Sequence, residues 1–509
     1  MKNQLKIGSL LSYIQMGLSI VIQLIYTPVM IRLLGQSEYG LYNTVASTIS
    51  MLSVLSLGFN SGYIRYYAMY RKEDRQEDIN RLNGLFLIIF LIIGAVGLVC
   101  GLFLSFHLDI IFDEGLTAGE YSIARVLTLL LTANLAISFP MSVFVNIISA
   151  HEKFVFMKIV GMIKTVFSPL ITLPLLLMGY RSIAMVAVTV GMSLFCDGLY
   201  LWFVLFRMKE RFVFRDFEKG IFKSLFVYTV FIALNSIIDQ INWNIDKLLL
   251  GRFKGTSQVA VYSVGYTLYH LYMMFSTSIS SVFTPRIHKI VNETKHSAEE
   301  QKKRLTEIFV KVGRIQFLIL GLVATGVIFF GYYFITEIWA GEGYESSYHV
   351  ALLLILPASI ALIQNLGIEI QRAENRHQFR SIVYSVMAAI NLGLSIFLCQ
   401  LYGAVGSAVG TAISLVVANG IIMNIYYQKK CNIDIPLFWK NILRMAPGLI
   451  IPCIFGVYVL RSGAVTSLKT FVMYVAVYTA LYCISVWFIS MNGYEKELIL
   501  KPLRRVLGR

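Results

Sequence analysis

Long apolar runs separated by short polar connections make up most of this 509-residue chain. Fourteen of the runs are long enough to cross a bilayer as a helix, which takes about 20 residues. They cover residues 7–31, 41–63, 83–105, 121–147, 158–178, 182–206, 224–250, 257–284, 309–338, 348–371, 379–401, 404–428, 441–461 and 467–490. This pattern predicts an all-α polytopic membrane protein with about fourteen transmembrane helices.

The seventh run differs from the others because it carries four polar residues, at Asn235, Asp239, Asn242 and Asp246. At about 100° per residue these four positions fall within an arc of roughly 60° on a helix. A carboxylate that faced lipid would cost roughly 3 kcal/mol or more. The polar stripe is therefore predicted to face protein or a water-filled cavity.

The composition supports a membrane protein, since 57% of residues are hydrophobic and only 14% are charged. The net charge of +16 includes 44 basic residues, a bias that in soluble chains often indicates nucleic-acid binding. In a membrane chain an excess of basic residues instead marks the cytoplasmic connections. Roughly four fifths of these residues lie in the two termini and in the connections that follow the even-numbered runs, all of which would lie on one side of the membrane. We therefore predict that both termini are cytoplasmic and that nucleic acid is no partner.

The remaining sequence features favour a transporter over an enzyme. No connection much exceeds two dozen residues, whereas a folded soluble domain needs about 50 or more. No nucleotide-binding loop or hydrolase motif is present. The six cysteines lie mostly within apolar runs and lack metal-ligand spacing, so we expect no cofactor and no metal.

A weak internal repeat divides the chain. The first run ends in RLLG (32–35) and the seventh in LLLG (248–251), and each is followed by a tyrosine where the next run begins, Tyr42 and Tyr262. The repeat predicts an N-terminal lobe of six helices at 1–222 and a C-terminal lobe of six at 223–430. Residues 431–509 then supply two additional helices and a basic cytoplasmic tail.

Four motifs in this order resemble the Wzx-type oligosaccharide flippases. They are LLGQSEYGLYNTVAS (33–47), NIDKLLLGRF (244–253), YSVGYTLYHL before Pro285-Arg286, and YGAVGSAVGTAIS (402–414). These flippases belong to the MOP (multidrug/oligosaccharidyl-lipid/polysaccharide) exporter superfamily, which also contains lipid II flippases and MATE drug exporters. The resemblance covers roughly residues 7–430. It implies two six-helix lobes that alternate between inward- and outward-open states around a central cavity.

A flippase for a lipid-linked sugar needs cations for the diphosphate of its carrier. Lys164 is the strongest candidate because it lies about six residues inside the fifth run, although its side chain could also snorkel to the headgroups. Asp197 in the sixth run lies at a comparable depth and could pair with Lys164. Arg32 and Arg125 near the outer face and Arg65 near the inner face are further candidates, with anchoring at the membrane interface as the alternative.

In the second lobe Asp239 is the strongest candidate, since it lies too deep for its short side chain to reach the headgroups. The stripe residues could hold a sugar hydroxyl, a proton or a sodium ion, or they could form a structural hydrogen-bond network. For Asp246, which lies closer to the outer face beside Lys247, an interfacial ion pair is the expected role. His270, near the middle of the eighth run, could relay protons, although packing is the alternative role. Weaker cavity candidates are Gln364, Asn365, Glu369 and Asn391.

The sequence thus predicts a flippase of the bacterial cytoplasmic membrane. It would move an undecaprenyl-diphosphate-type oligosaccharide to the outer leaflet for a surface polysaccharide such as O-antigen or capsule, with possible proton or sodium coupling. Membrane lipids and the glycan are the expected partners. The alternatives are a MATE-like drug/cation antiporter, which would need little basic charge in its first lobe, and a membrane glycosyltransferase or polymerase, against which the short outer connections argue.

Overall fold

The computed structural model describes residues 2–56, 58–112, 116–215, 220–294 and 296–506, and within these ranges all regular secondary structure is helical. The α-helices in this part of the chain are α1 (Lys2–Leu34), α2 (Gln36–Met51), α3 (Phe59–Lys72), α4 (Gln76–Phe106), α5 (Ala118–Ala150), α6 (Phe154–Leu177), α7 (Arg181–Trp202), α8 (Ile221–Phe253), α9 (Thr256–Glu293), α10 (Ala298–Tyr333), α11 (Glu345–Ile363), α12 (Leu366–Ala373), α13 (His377–Leu415), α14 (Met423–Lys430), α15 (Ile435–Leu443), α16 (Ile450–Ser462), α17 (Leu468–Ser485) and α18 (Gly493–Val506). The predicted all-α class is confirmed.

Eleven helical stretches among the described residues are long and apolar enough to cross a membrane. The stretch Gln378–Lys430 contains two of the predicted spans, which are separated at Gly403 by a left-handed backbone (φ 58°) that favours glycine. Helices α8 and α9, the predicted seventh and eighth spans, are 33 and 38 residues long but are not among the eleven. The exact count of fourteen and the cytoplasmic termini stay predictions.

The chain forms two compact units. The first comprises Met1–Ser263 with Cys399–Gly403, and the second comprises Val264–Leu398 with Ala404–Arg509. In this structure α8 therefore belongs with the N-terminal helices. The division into lobes at 1–222, 223–430 and 431–509 stays a prediction.

In the first unit, glycines let helix backbones touch. A Cβ on Gly40 of α2 would lie 2.6 Å from the carbonyl carbon of Thr256, well inside van der Waals contact. Thr44 lies one turn after Gly40 on α2, and a Cβ on Gly251 of α8 would lie 2.6 Å from its Cγ2. These small residues bring the end of α8 and the start of α9 directly against α2.

An extended segment also packs closely in the first unit, where residues 209–215 lie across the start of α4. The Val213 amide donates to the Asn80 carbonyl at 2.9 Å, and Asn83 Nδ2 donates to the Arg211 carbonyl at 3.2 Å. A Cβ on Gly84 would lie 2.7 Å from the Val213 carbonyl carbon. The backbone hydrogen bond and the missing side chain together hold this segment on α4.

The second unit is centred on α10, which contacts α11, α15, α16 and α17. Near its cytoplasmic end as predicted, Arg314 forms a two-pronged ion pair with Glu495 of α18, at 2.5 Å from Nε and 2.9 Å from an Nη. The guanidinium also donates to the Ser490 and Asn441 carbonyls. Both charged side chains are buried, at 9% and 2% exposure, so this pair fixes α18 to the unit.

Candidate functional site

One basic group within the apolar stretches of the first unit is the ammonium of Lys164 on α6. Lys164 Nζ donates to Ser193 Oγ of α7 at 2.7 Å. Asp197 lies one helical turn beyond Ser193 on α7, is half-buried, and lies within the electrostatic range of Lys164. The structure therefore brings together the lysine and the aspartate that the sequence suggested as a pair, with Ser193 as the group that Lys164 contacts directly.

The depth of this contact bears on the snorkelling alternative. Lys164 lies about 15 Å along the axis from the start of α6 at Phe154, and Ser193 lies about 14 Å from the end of α7 at Trp202. The side chain of Lys164 therefore reaches sideways to a neighbouring helix, and its ammonium stays within the apolar stretch of both helices. The Ser193 hydroxyl, which accepts this hydrogen bond, could not be predicted from the sequence, because no local pattern links residues on two helices.

The three arginine candidates lie elsewhere. Arg32, Arg65 and Arg125 are all exposed, on α1, α3 and α5. The Arg125 guanidinium lies over the Phe106 ring, 4.7 Å from its centroid. A cation on an aromatic face near a helix end is typical of an interface anchor. These arginines do not join the group around Lys164.

The polar stripe of α8 has members in different environments. The side chain of Asn235 lies outside the described residues, Asp239 is exposed and Asn242 is half-buried. Asp246 is buried at 3% exposure and accepts a hydrogen bond from the Tyr262 hydroxyl at 2.7 Å. Asp246 is thus part of the packing between α8 and α9, whereas Asp239 is exposed.

A second polar row on α8 was missed. Gln240 donates to Ser53 Oγ at 2.9 Å, and Asn244 donates to Gln240 Oε1 at 2.6 Å. At about 100° per residue this row lies on the side of α8 roughly opposite the predicted stripe, and it contacts Ser53 of the first unit. Its residues are visible in the sequence, but they fall outside the arc that holds the two carboxylates.

His270 of α9 belongs to the second unit. The ring is half-buried and stacks on Tyr266, with a centroid distance of 6.5 Å and an interplanar angle of 23°. The stacking fits the packing role at least as well as a role in proton relay.

An acidic network at the start of α2 was also missed. Glu38 is buried, accepts from the Ser182 amide at 2.9 Å, and pairs with Arg181 at 3.2 Å. Beside it, Ser37 donates to Glu120 and lies 2.9 Å from Thr256 Oγ1. The network joins four helix starts at one end of the first unit, which predicts a structural role at the outer side.

Comparison with known proteins identifies the family. The family described as "Polysaccharide biosynthesis protein" matches residues 8–291, more than half of the chain. "Uncharacterized membrane protein EpsK" of Bacillus subtilis (strain 168) is 22% identical over 511 residues, covering 96% of each protein. "Probable low-salt glycan biosynthesis flippase Agl15" of Haloferax volcanii is 23% identical over 198 residues, covering 38% of this chain and 40% of Agl15.

A solved structure of similar fold is "Lipid II flippase MurJ, inward closed conformation". Its TM-score is 0.71 at 15% sequence identity, with 99% of this chain and 100% of that chain covered. At this identity the likeness concerns the fold alone. The family match and the fold agree with the resemblance that the sequence motifs predict, and the chain belongs to the polysaccharide biosynthesis protein family.

Proposed function

We propose that this protein is a flippase that moves a polyprenyl-diphosphate-linked oligosaccharide from the inner to the outer leaflet of the cytoplasmic membrane. Its family acts in polysaccharide biosynthesis, Agl15 is named as a probable glycan flippase, and MurJ, whose fold it shares, is named as a lipid II flippase. The protein acts as a transporter by alternating access and not as a glycosyltransferase or polymerase.

The observation that carries the proposal to particular residues is the ammonium of Lys164 inside the apolar part of α6. Lys164 contacts the neutral Ser193 hydroxyl at 2.7 Å, so its positive charge has no ion-pair partner within 4.0 Å among the described residues. A diphosphate that enters the first unit offers the counter-charge that Asp197 supplies only at longer range. We assign Lys164 as the phosphate ligand and Asp197 as the group that offsets the charge of Lys164 at longer range when no substrate is bound.

The carboxylates of α8 suit a different part of the substrate. A carboxylate repels a diphosphate but accepts hydrogen bonds from sugar hydroxyls, and Asp239 is exposed on α8. Asp239 is equally able to bind a proton or a sodium ion as the coupling cation. The phosphates are then held by the first predicted lobe and the sugars or the cation by α8.

The test replaces Lys164 in a strain whose own copy of the gene is deleted. Losing a hydrogen bond to a charged group costs about 1.5–3 kcal/mol, so Lys164→Ala should slow translocation by ~10- to 100-fold and Lys164→Arg by less. Lipid-linked repeat units would accumulate on the inner leaflet, measured with a lectin that is added to inside-out or right-side-out vesicles.

Lys158→Ala is the matched control, because Lys158 lies on the same helix close to its predicted cytoplasmic end. It should leave translocation unchanged. If Lys164→Ala behaves like Lys158→Ala, Lys164 is a headgroup anchor and the diphosphate assignment is wrong. If deleting the gene causes no accumulation in a strain without a second transporter, the flippase function itself fails, and a drug/cation antiporter takes its place.

A further inference from the structure

A second group of chemically active side chains lies in the second unit, far along the chain from Lys164. It comprises Gln371 at the end of α12, Glu374 in the turn that follows, and Cys431 just after α14. Gln371 and Cys431 are fully buried, and the side chain of Glu374 is only 6% exposed. The turn connects two predicted spans, 348–371 and 379–401, on the side that the charge pattern assigns to the cytoplasm.

Three polar atoms of this group have no hydrogen bond within the described residues. Within the described part of the chain, neither amide atom of Gln371 has a hydrogen bond, nor does Oε2 of Glu374. The Arg376 guanidinium lies 3.9 Å from that oxygen, beyond hydrogen-bond distance, and its own side chain is 44% exposed. Buried polar atoms are normally paired, so three such atoms together indicate a missing ligand.

The three side chains adjoin one another. The Gln371 side chain lies beside the Cys431 thiol, and the Glu374 carboxylate lies within its electrostatic range. Burial together with that carboxylate raises the pKa of Cys431 to about 12, against the lowering effects of Arg376 and Gln371. The thiol is therefore neutral at cellular pH and adds no negative charge beside Glu374. The other groups that face the site are Arg376 and the Tyr426 ring, whose hydroxyl donates to the Arg376 carbonyl at 3.2 Å.

The chemistry of these neighbours favours a neutral carboxyl. A carboxylate can only accept hydrogen bonds, and no donor within the described residues reaches Oε2. A protonated Glu374 has an O–H that can donate to the unpaired Oε1 of Gln371, three residues earlier on the same helix face. Protonation thus removes the buried charge and satisfies two orphan atoms at once.

We propose that Glu374 and Gln371 form a proton-binding site that fastens the turn between α12 and α13. In the closed state the carboxyl carries a proton that it has taken up from the cytoplasm, and its O–H donates a hydrogen bond to Gln371 Oε1. When the proton returns to solvent, the buried carboxylate keeps only the Arg376 charge at 3.9 Å, its Oε2 has no hydrogen bond within the described residues, and the turn opens. This site belongs to the second unit and is independent of the diphosphate ligand proposed above.

The direction of the pH effect follows from the burial. Burial raises the pKa of Glu374 from 4.5 to about 7, with the Arg376 charge opposing the shift. Because the closed state binds the proton more tightly than the open state, closure is favoured at low pH and weakens as pH rises from 4.5 through about 7.

The experiment is hydrogen–deuterium exchange of the full chain in detergent, followed by mass spectrometry of peptides that span 366–380. When the exchange times are corrected for the pH dependence of intrinsic amide exchange, the fraction of molecules with an open turn should rise about ten-fold between pH ~6 and ~8 in the native protein. Glu374→Gln, which mimics the protonated form, should be protected at both pH values. Glu369→Gln on the same helix, whose native carboxylate pairs with the exposed Arg372, should behave like the native protein.

Two results would overturn the proposal. One is a native protein whose exchange in this turn does not change with pH, a measurement that needs no variant. The other is a Glu374→Gln protein that keeps the native pH response. A pH response that disappears when sodium is replaced by choline would instead assign the unpaired oxygens to a metal cation and would also refute a proton site.

Discussion

The contact between α2 and the α8–α9 corner provides a sharp test of the packing, because two glycines meet different kinds of atom. A Cβ on Gly40 would lie 2.6 Å from the carbonyl carbon of Thr256, while a Cβ on Gly251 would lie 2.6 Å from the Thr44 methyl group. Ordinary contacts begin at 3.4 Å, so Gly251→Ala requires a separation of about 1 Å, and Gly40→Ala requires more because the Thr256 carbonyl oxygen would lie closer to the new Cβ than its carbon does. Overpacking of this size typically costs about 1–3 kcal/mol.

The two variants should differ in whether a second substitution rescues them. Removing the Thr44 side chain beyond Cβ leaves its Cβ 3.5 Å from the new methyl group, an ordinary contact, so Gly251→Ala should cost little in a Thr44→Ala background. The obstacle at Gly40 is backbone, which no side-chain change removes, so Thr256→Ala should not rescue Gly40→Ala. Double-mutant cycles on thermal stability in detergent measure both couplings.

Gly119→Ala is the matched control, since a Cβ at Gly119 would meet nothing within 4 Å. It should leave the melting temperature unchanged. Equal melting temperatures for Gly40→Ala and Gly119→Ala would refute the backbone contact. Rescue of Gly40→Ala by Thr256→Ala would show that the Thr256 side chain, and not its carbonyl, opposes α2.

Two further predictions concern the segments that are fastened at the predicted cytoplasmic side. Glu495→Ala leaves Arg314 buried without its counter-charge, which costs about 3–5 kcal/mol, so tryptic cleavage within α18 should speed up by at least ~100-fold. Glu497→Ala removes only an exposed pair and should change cleavage less than about five-fold, and equal effects would contradict the role of burial. Gly84→Ala should lift the Val213 segment from α4 and free its backbone, so trypsin should cleave faster after the already exposed Arg211 and Arg215; unchanged cleavage there would show that the segment is held by other contacts.

The sequence was sufficient for the class of fold, because a bilayer imposes a length on every apolar run. It also found the turn at Gly403, where two spans meet without a polar connection. It was less reliable for α8, since helical periodicity shows which residues share a face but not what that face meets. The sequence predicts a cavity role for Asp239 and an interfacial ion pair with Lys247 for Asp246; the structure leaves Asp239 exposed and buries Asp246, which accepts a hydrogen bond from Tyr262.

Contacts between distant helices are the part that the sequence could not supply. Lys164 was found by its depth, but Ser193 lies 29 residues away on another helix, and Arg181 pairs with a glutamate 143 residues earlier. In the sequence, Arg314 is one of the basic residues near a predicted cytoplasmic boundary, where it indicates only the topology. Its position five residues inside an apolar run was the one local signal that it is buried.

The ion pair between α10 and α18 has a consequence for synthesis of the chain. Glu495 follows Arg314 by 181 residues, so at translation rates of about 5–20 residues per second the arginine waits roughly 10–40 s for its partner. Any product that ends before Glu495 retains a buried guanidinium without a counter-charge. Until α18 is synthesised and docks, α10 therefore carries a buried charge that destabilises the second unit.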